Sequence, residues 1–330
     1  MSGEVVPVLS VVVPTYNRKE RLRRALDALA TQDVDVPYEI VVVSDGSTDG
    51  TDDDLRTLDL GVPLVADRQE NAGPSAARNR AIELARGEIL VFVDDDIIAD
   101  PGLLSAHLAA QRACDVGVVV TGPMLTPTDH TMSPWVRWEQ DRLERQYDDL
   151  ASGRYEATGR LFYTGNASVP RSIVVDAGGF DTQFRRAEDL ELGLRMLDAG
   201  AAFQFVPEAR GFHYAERSFE AWERIPYEYG ANEIAFASRW PDLIAMNHRH
   251  WHDSPILGKV VAASAAFVPG AGSFIGALLR PVAQRESRIG QLALSMLYKV
   301  RFTIGLRDGL GSRGALWRVL RHGTADRIRG

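Results

Sequence analysis

Three aspartates in a row, Asp94 to Asp96, follow the apolar residues 89–93 and are the part of the sequence best suited to chemistry. Neighbouring carboxylates repel one another, so a chain keeps them together only where water, a cation or a ligand compensates the charge. If the strand conformation continues through them, Asp94 and Asp96 project from one face and Asp95 projects away, as a solvent-side or backbone-capping residue. Two converging carboxylates favour a hard divalent cation, Mg²⁺ or Mn²⁺, which also binds a diphosphate. The triplet therefore predicts a metal site on Asp94 and Asp96.

A second acidic pair, Glu188 and Asp189, opens the helical pattern "EDLELGLRM". Carboxylates are chemically able to act as general bases. The alternative is structural, because acidic residues in the first turn of a helix stabilise it through the helix dipole. Glu191 and Arg195 are four residues apart, and we expect them to form an ion pair within this helix.

The elements that must position these residues alternate apolar runs with helical patterns, which predicts an α/β fold with a mostly parallel sheet flanked by helices. Asn17 can cap the helix that follows the first strand. Asp45 and Asp94 both stand at the carboxyl ends of predicted strands, where open α/β sheets bind their ligands. We therefore expect the acidic triplet at the edge of a binding site. The predicted strands cover residues 9–14, 38–45, 63–67 and 88–94.

The last third of the sequence has aromatic-rich helical patterns and no further strand signal from about residue 212. We place a domain boundary near residue 215, followed by a helical extension over residues 216–330. Residues 260–279 carry no charge and are numerous enough to span a bilayer. Pro269 and Gly270 interrupt them, which favours an interfacial hairpin or a packed helical pair over a spanning helix.

Charge is distributed unevenly along the chain. The net charge is −8, yet residues 280–330 hold 11 Lys and Arg against 3 Asp and Glu. A basic tail on an acidic body suits an anionic surface, such as phospholipid headgroups, or another protein. The alternative is a solvated basic helix.

The single cysteine, Cys114, excludes a disulfide framework and a metal site built from several thiolates. The N-terminal residues lack the basic region and the cleavage site of a signal peptide. Both observations predict a cytoplasmic protein, or one that lies peripherally on the cytoplasmic face of a membrane.

Four short motifs follow one another in the first third of the chain. They are "VVVPTYNR" (residues 11–18), "VVVSDGSTDGT" (41–51), "NAGPSAARNRAI" (71–82) and "VFVDDDI" (91–97). Together they closely resemble family 2 glycosyltransferases, the inverting, sugar-nucleotide-dependent enzymes with a GT-A fold. The resemblance covers about residues 8–215 and continues in "TGNASVPRS" (164–172), "GGFD" (178–181) and "AEDLELGLRM" (187–196). It implies a Rossmann-like GT-A catalytic domain over residues 1–215, with a nucleotide-binding half at about 8–98 and an acceptor half at about 99–215.

The resemblance also assigns roles to individual residues. The family's D-x-D motif falls on Asp94 and Asp96, which would hold Mn²⁺ or Mg²⁺ together with His213. A lone histidine is more often structural, so a structural role stays open for His213. A packing role stays open for Tyr16 in the same way, as does a plain surface position for Arg78. The residues expected to bind the nucleotide are Pro14, Thr15, Tyr16, Asp45, Asn71, Gly73, Arg78, Asp94 and Asp95.

The acid-base role falls by resemblance on Asp189, which would deprotonate the acceptor hydroxyl, while Glu188 would contact the acceptor or hold Asp189 in place. The implied reaction is an inverting single displacement from a nucleoside-diphosphate sugar, with a UDP-sugar favoured. The carboxylate of Asp45 would accept an N–H of the pyrimidine base. We expect the acceptor to be a glycan, a glycolipid or a cell-envelope intermediate. Arg185 and Arg186 depart from the family's usual residues before the acidic pair and could favour a negatively charged acceptor.

Two competing functions are compatible with parts of the sequence. "DDDII" also fits the outline of haloacid-dehalogenase-like phosphatases, with Asp94 as nucleophile, but no downstream lysine and acidic pair complete it. The second competing function is that of a non-catalytic scaffold or subunit that binds a nucleotide sugar. We expect no nucleic-acid partner, whereas peripheral membrane contact through the basic C-terminal region and a homodimer are left open.

Overall fold

The computed structural model describes residues 5–114, 117–184, 186–241 and 255–322. The chain divides into two units. The first comprises residues 1–130 and 142–214, and the second comprises residues 131–141 and 215–330. The sequence had assigned none of residues 131–141 to the C-terminal part. His248, His250 and His252, which the sequence suggests are surface or interface residues, lie outside the described residues, as does Arg185.

A seven-stranded sheet forms the centre of the first unit, in the strand order β3-β2-β1-β4-β8-β6-β9. Its strand β8 runs antiparallel to both neighbours, and all other neighbours are parallel. The predicted α/β fold with a mostly parallel sheet is therefore confirmed. The strands are β1 (Leu9–Thr15), β2 (Tyr38–Asp45), β3 (Leu64–Gln69), β4 (Ile89–Val93), β6 (Val118–Thr121), β8 (Asn166–Pro170) and β9 (Ala202–Phe205).

A second, three-stranded sheet has the order β5-β10-β7, in which β5 (Ile97–Ala99) and β10 (Gly211–His213) are antiparallel. Strand β7 (Met124–Leu125) pairs with β10 in parallel. Because β5 begins directly after the acidic triplet, its pairing with β10 places the end of β10 beside the triplet. The helices of this part of the chain are α1 (Lys19–Leu29), α2 (Thr51–Thr57), α3 (Pro74–Leu84), α4 (Leu103–Arg112), α5 (Pro134–Ala151), α6 (Arg171–Asp176) and α7 (Glu188–Asp198).

The central strands form because their residues are apolar on both faces. Residues 11–13, 41–43 and 91–93 are fully buried, as expected for parallel strands covered by helices on each side. Leu22, Leu26 and Leu29 of α1 recur at helical spacing and are buried against this sheet. These apolar contacts fix where each strand ends, and the ends of the strands carry the polar residues of the site.

The predicted cap of α1 by Asn17 is wrong. Asn17 has a left-handed backbone (φ +52°), and its Oδ1 accepts a hydrogen bond from the Thr48 backbone N–H. The carboxylate of Asp49 instead accepts the backbone N–H of Lys19 in the first turn of α1. The loop after β2 therefore caps α1, a contact between segments that local sequence does not reveal.

The second unit contains α8 (Phe219–Arg239), α9 (Ile256–Phe267), α10 (Ala271–Ala283), α11 (Arg288–Gly309) and α12 (Arg313–His322). Helix α11 packs against α8, α9 and α10. Buried Glu223 of α8 pairs with Arg280 of α10 and Arg301 of α11, so one carboxylate joins three helices. The uncharged residues 260–279 form parts of α9 and α10, which break at Pro269 and Gly270. Within the described ranges, we find no helix with the length and apolar character needed to cross a membrane.

Candidate active site

The strand order reverses beside β1, because β2 and β3 lie on one side of it and β4 lies on the other. A crevice forms at such a point outside the carboxyl ends of the strands, which is where open α/β sheets bind ligands. A cleft of about 600 Å³ lies there. Its lining includes all nine residues that the sequence assigned to the nucleotide, and it also includes Arg18, Pro74, Ala77, Arg186 and Glu188.

The acidic triplet lies in a turn, because β4 ends at Val93. Asp95 is only 4% exposed. Its Oδ2 accepts a hydrogen bond from the Thr15 hydroxyl at 2.7 Å, and its Oδ1 accepts one from Arg18 Nη1 at 2.6 Å. Burial raises the pKa of Asp95 to about 6, although Arg18 lowers it. The expected solvent-side position of Asp95 is therefore wrong. The alternation of a strand does not extend into a turn, so the middle carboxylate faces the protein.

Asp94 is the most exposed of the three carboxylates and accepts a hydrogen bond from Arg78 Nη2 at 2.8 Å. Arg78 Nη1 donates to Glu188 Oε1 at 2.9 Å. Arg78 is itself only 5% exposed, which excludes a plain surface position for this arginine. One buried guanidinium thus joins the acidic triplet to the acidic pair, two features that are 92 residues apart in sequence.

Asp96 lies beside His213, with 3.7 Å between Asp96 Oδ1 and His213 Nε2. The pairing of β5 with β10 brings them together, since His213 is in register with Ile97. The other carboxylate oxygen, Asp96 Oδ2, accepts Arg18 Nη1 at 3.0 Å. This division of the two oxygens leaves Oδ1 directed towards the histidine.

The fit of this pair to a divalent metal can be judged from its donor atoms. No group of three or more His, Cys, Asp or Glu side chains suited to a metal ion occurs among the described residues. Mg²⁺ and Mn²⁺ sites in phosphate-transfer enzymes use one or two carboxylates and take their other ligands from substrate phosphates and water. Asp96 supplies such a carboxylate, and His213 beside it stays a predicted ligand, because these cations prefer oxygen ligands. The participation of Asp94 as a third ligand stays a prediction, because its carboxylate faces Arg78.

Asp45 holds the loop that contains Asn71 and Gly73. Its carboxylate accepts the backbone N–H groups of Ala72 and Gly73, each at 2.8 Å, and the side-chain amide of Gln69 at 2.7 Å. The amide of Asn71 donates to the Asp45 carbonyl at 2.9 Å. Asp45 therefore shapes the loop beside the cleft, a role that the sequence did not indicate.

The acidic pair begins α7, directly after Ala187, whose φ is +63°. Within the described residues, Asn17 and Ala187 are the only non-glycine residues with a positive φ, and each directly precedes a residue of the cleft. Such strained backbone conformations cluster at functional sites. Asp189 accepts the Leu190 backbone N–H at 2.8 Å. Burial, followed by the charge of Glu188, raises the pKa of Asp189 to about 7.

The rest of α7 is held by contacts that do not reach the cleft. Arg195 Nε donates to Glu191 Oε1 at 2.7 Å, which confirms the predicted intrahelical pair. Arg195 also donates to the carbonyl oxygens of Ala177 and Gly179 in the loop after α6. These bonds fix the helix and hence the position of the acidic pair at its N-terminus.

Sequence reasoning missed Arg18 as a residue of the site. It stands three residues after β1, and its guanidinium reaches two carboxylates that follow β4. The signal was present in the motif "PTYNR", because a cation after one central strand can neutralise carboxylates after the neighbouring strand. Recognising it requires knowledge that β1 and β4 are adjacent.

The contacts of Asp95 predict that Asp95→Asn lowers the free energy of unfolding by about 1–3 kcal/mol, because the amide nitrogen would then face the donors of Thr15 or Arg18. Urea denaturation of the two proteins measures this. Asp53→Asn is the matched control, because Asp53 is exposed on α2 and should change stability little. Equal stability of the two variants would contradict the network.

Comparison with known proteins gives one family match and several relatives. Residues 10–179 match the model of "Glycosyl transferase family 2". A validoxylamine A glucosyltransferase from Streptomyces hygroscopicus subsp. jinggangensis is 33% identical over 243 residues, which is 66% of this chain and 58% of that protein. The chain spans 54 to 64% of the length of the first three curated relatives it matches.

Two solved structures share the fold. The mannosyltransferase PcManGT from Pyrobaculum calidifontis, in complex with GDP-Man and Mn²⁺, has a TM-score of 0.62 and 22% identity, over 90% of this chain and 87% of that one. TarS 1–349 from S. aureus, in complex with UDP-GlcNAc, has a TM-score of 0.53 and 20% identity, over 92% of each chain. At these identities the likeness concerns the fold.

Proposed function

Because the chain belongs to glycosyl transferase family 2, we propose that it is an inverting glycosyltransferase that moves a sugar from a nucleoside-diphosphate sugar to an acceptor hydroxyl. The observation that carries this proposal is the bridge made by Arg78 between Asp94 and Glu188. It joins Asp94, assigned to the donor, to Glu188, which lines the same cleft and directly precedes Asp189, the residue assigned to proton transfer. A transferase needs both groups within reach of one anomeric carbon.

The donor would bind with its nucleoside at the loops after β1 and β2, near Tyr16 and Asp45, and with its diphosphate near the acidic triplet. Tyr16 is 49% exposed in the cleft and offers a ring face to the base. Mn²⁺ or Mg²⁺ held by Asp96 and His213, with Asp94 as a further ligand, would supply positive charge that stabilises the leaving diphosphate. Arg18 would position Asp96 by holding its second oxygen.

The acceptor hydroxyl would lose its proton to the carboxylate of Asp189 as its oxygen attacks the anomeric carbon. The new C–O bond forms as the bond from that carbon to the diphosphate oxygen breaks, so the configuration inverts. The raised pKa of Asp189 makes it a stronger base than an ordinary aspartate. Glu188, fixed by Arg78, would orient the acceptor or Asp189.

The donor nucleotide is the finer part of the proposal. Solved relatives of the fold hold GDP-Man or UDP-GlcNAc, so the fold accommodates either base. We favour UDP, because the family resemblance assigns the carboxylate of Asp45 to an N–H of a pyrimidine base, which it would accept in addition to the hydrogen bonds from its own loop. The acceptor would be a glycan, a glycolipid or another cell-envelope intermediate, and Arg186 in the cleft would suit a negatively charged one.

Slow hydrolysis of the donor, with water as the acceptor, tests the proposal without a known acceptor. The chain is incubated with Mn²⁺ and α-linked UDP-glucose, UDP-N-acetylglucosamine or GDP-mannose, and NMR follows the free sugar. We expect release of nucleoside diphosphate from one nucleotide class and the β-anomer as the first product. Initial α-anomer would contradict the single displacement, and tight donor binding without any turnover would favour a scaffold.

A further inference from the structure

The outer helices of the second unit bury small residues and expose large apolar ones. Helix α9 buries Gly258, Ala262 and Ala266 at a spacing of four residues. This face contacts α11, since Gly258 lies against Lys299 and the Ala266 carbonyl accepts a hydrogen bond from Arg307. A helix that packs on its neighbour through small residues leaves its bulky residues outside. On α9 these are Ile256, Leu257 and Val260, which are 77%, 60% and 56% exposed.

Helix α10 repeats this arrangement. It buries Gly276 and Ala283 and exposes Phe274 and Leu278, which are one turn apart and are 66% and 58% exposed. Helices α9 and α10 pack on each other and both pack on α11. The sides turned away from α11 therefore form one outer layer, which we call the apolar layer. Clustered exposed apolar side chains on neighbouring helices are typical of an interaction surface.

A groove at the end of α9 extends the apolar layer to α12. It has a volume of about 600 Å³ and is lined by Phe267, Val268, Arg313 and Trp317, together with small residues. Trp317 is 56% exposed, and its ring centroid lies 6.0 Å from that of Phe267. Exposed tryptophan beside arginine is typical of the boundary between lipid headgroups and hydrocarbon.

The charge of the residues around the apolar layer indicates which kind of partner binds it. Residues 255–322 contain 10 Lys and Arg against 2 Asp and Glu. The side chains of Arg285, Arg288, Arg313 and Arg318 are exposed. A second copy of this chain would bring the same positive charge against itself, which costs free energy. A bilayer with anionic headgroups offers both an apolar interior and the opposite charge.

We propose that the apolar layer of α9 and α10 binds the surface of an anionic lipid bilayer, with the flanking arginines among the headgroups. The two helices have 12 and 13 residues and are therefore about 18–20 Å long, less than the hydrocarbon core of about 30 Å. They lie in the plane of the interface. This binding is independent of the proposed reaction, and it would bring the chain to acceptors that are carried on lipid.

Flotation with vesicles tests the proposal on the full chain, without donor or metal. Vesicles of phosphatidylcholine alone are compared with vesicles that contain about 30% phosphatidylglycerol, at about 0.1 M and about 0.5 M NaCl. We expect binding to the anionic vesicles, with at least about tenfold weaker binding to neutral vesicles and weaker binding at high salt. The variant Phe274→Glu/Leu278→Glu should lower the partition coefficient at least about tenfold.

Two further variants make the result specific. Val175→Glu is the matched control, because Val175 is a 50% exposed apolar residue of α6 in the first unit, and its binding should equal that of the wild type. Arg285→Glu/Arg288→Glu keeps the apolar layer intact and should weaken binding to anionic vesicles only. The proposal would be overturned by equal binding to both vesicle types or by no binding at all. It would also be overturned if the apolar layer held a dimer that Phe274→Glu/Leu278→Glu dissociates.

Discussion

An Asp189→Asn variant is expected to lose transfer activity by a factor of about 10²–10⁴ in kcat while it still binds the donor. The asparagine keeps the size of the side chain and the oxygen that accepts the Leu190 backbone N–H. It cannot take the proton of the acceptor hydroxyl. Steady-state kinetics with the donor found in the hydrolysis assay, together with calorimetric titration of donor, separate loss of catalysis from loss of binding.

The control is Asp198→Asn, because Asp198 is exposed at the other end of α7 and should leave kcat unchanged. The pH profile distinguishes a base from a residue that only positions. The pKa of Asp189 is raised to about 7, and a base works only when ionised, so wild-type kcat/KM should fall as the pH drops through that value. An Asp189→Asn variant with near wild-type kcat would contradict the assignment of Asp189 as the general base.

An Arg78→Met variant is expected to lose about 3–5 kcal/mol of the free energy of unfolding, because it removes one partner of a buried ion pair. Glu188 is almost as buried as Arg78 and would keep its charge without a partner. Burial on its own would lower the pKa of Arg78, but Asp94 and Glu188 outweigh it, so the guanidinium stays charged. Methionine has a similar length, which limits the effect of lost volume. Urea denaturation measures the change.

Arg80→Met provides the matched comparison on the same helix. Arg80 pairs with Asp67 and Glu83 on the surface of α3, where ion pairs contribute little to stability. We expect its unfolding midpoint to stay close to that of the wild type. If Arg78→Met proved as stable as Arg80→Met, Arg78 would not be the link between the two acidic groups.

The sequence was sufficient for those parts of the fold that depend on local pattern. The apolar residues 11–13, 41–43 and 91–93 predicted buried strands, and the leucines of α1 predicted the face that packs on them. The motifs found the cleft, because all nine residues assigned to the nucleotide line it. Strand ends are where a parallel sheet gathers its polar residues, so this part of the site followed from the order of the elements.

Contacts between distant segments were not predictable in the same way. Alternation along β4 suggested that Asp95 faces solvent, whereas a turn begins at Asp94 and directs Asp95 to Thr15 and Arg18. The role of Asp45 in the loop before α3 depends on three hydrogen bonds from residues 69–73. Neither contact leaves a local signature, because each depends on which strands are neighbours.

Donor binding that requires a divalent metal tests the central claim most directly. Thermal unfolding of the wild type and of Asp96→Ala is followed with UDP-, GDP- and dTDP-sugars, with and without Mn²⁺, and again after EDTA. We expect one nucleotide class to stabilise the wild type by about 2.7 kcal/mol at a hundredfold excess over Kd, only with the metal, and no such effect in Asp96→Ala. Absence of a metal-dependent shift with every nucleotide would contradict the proposed function.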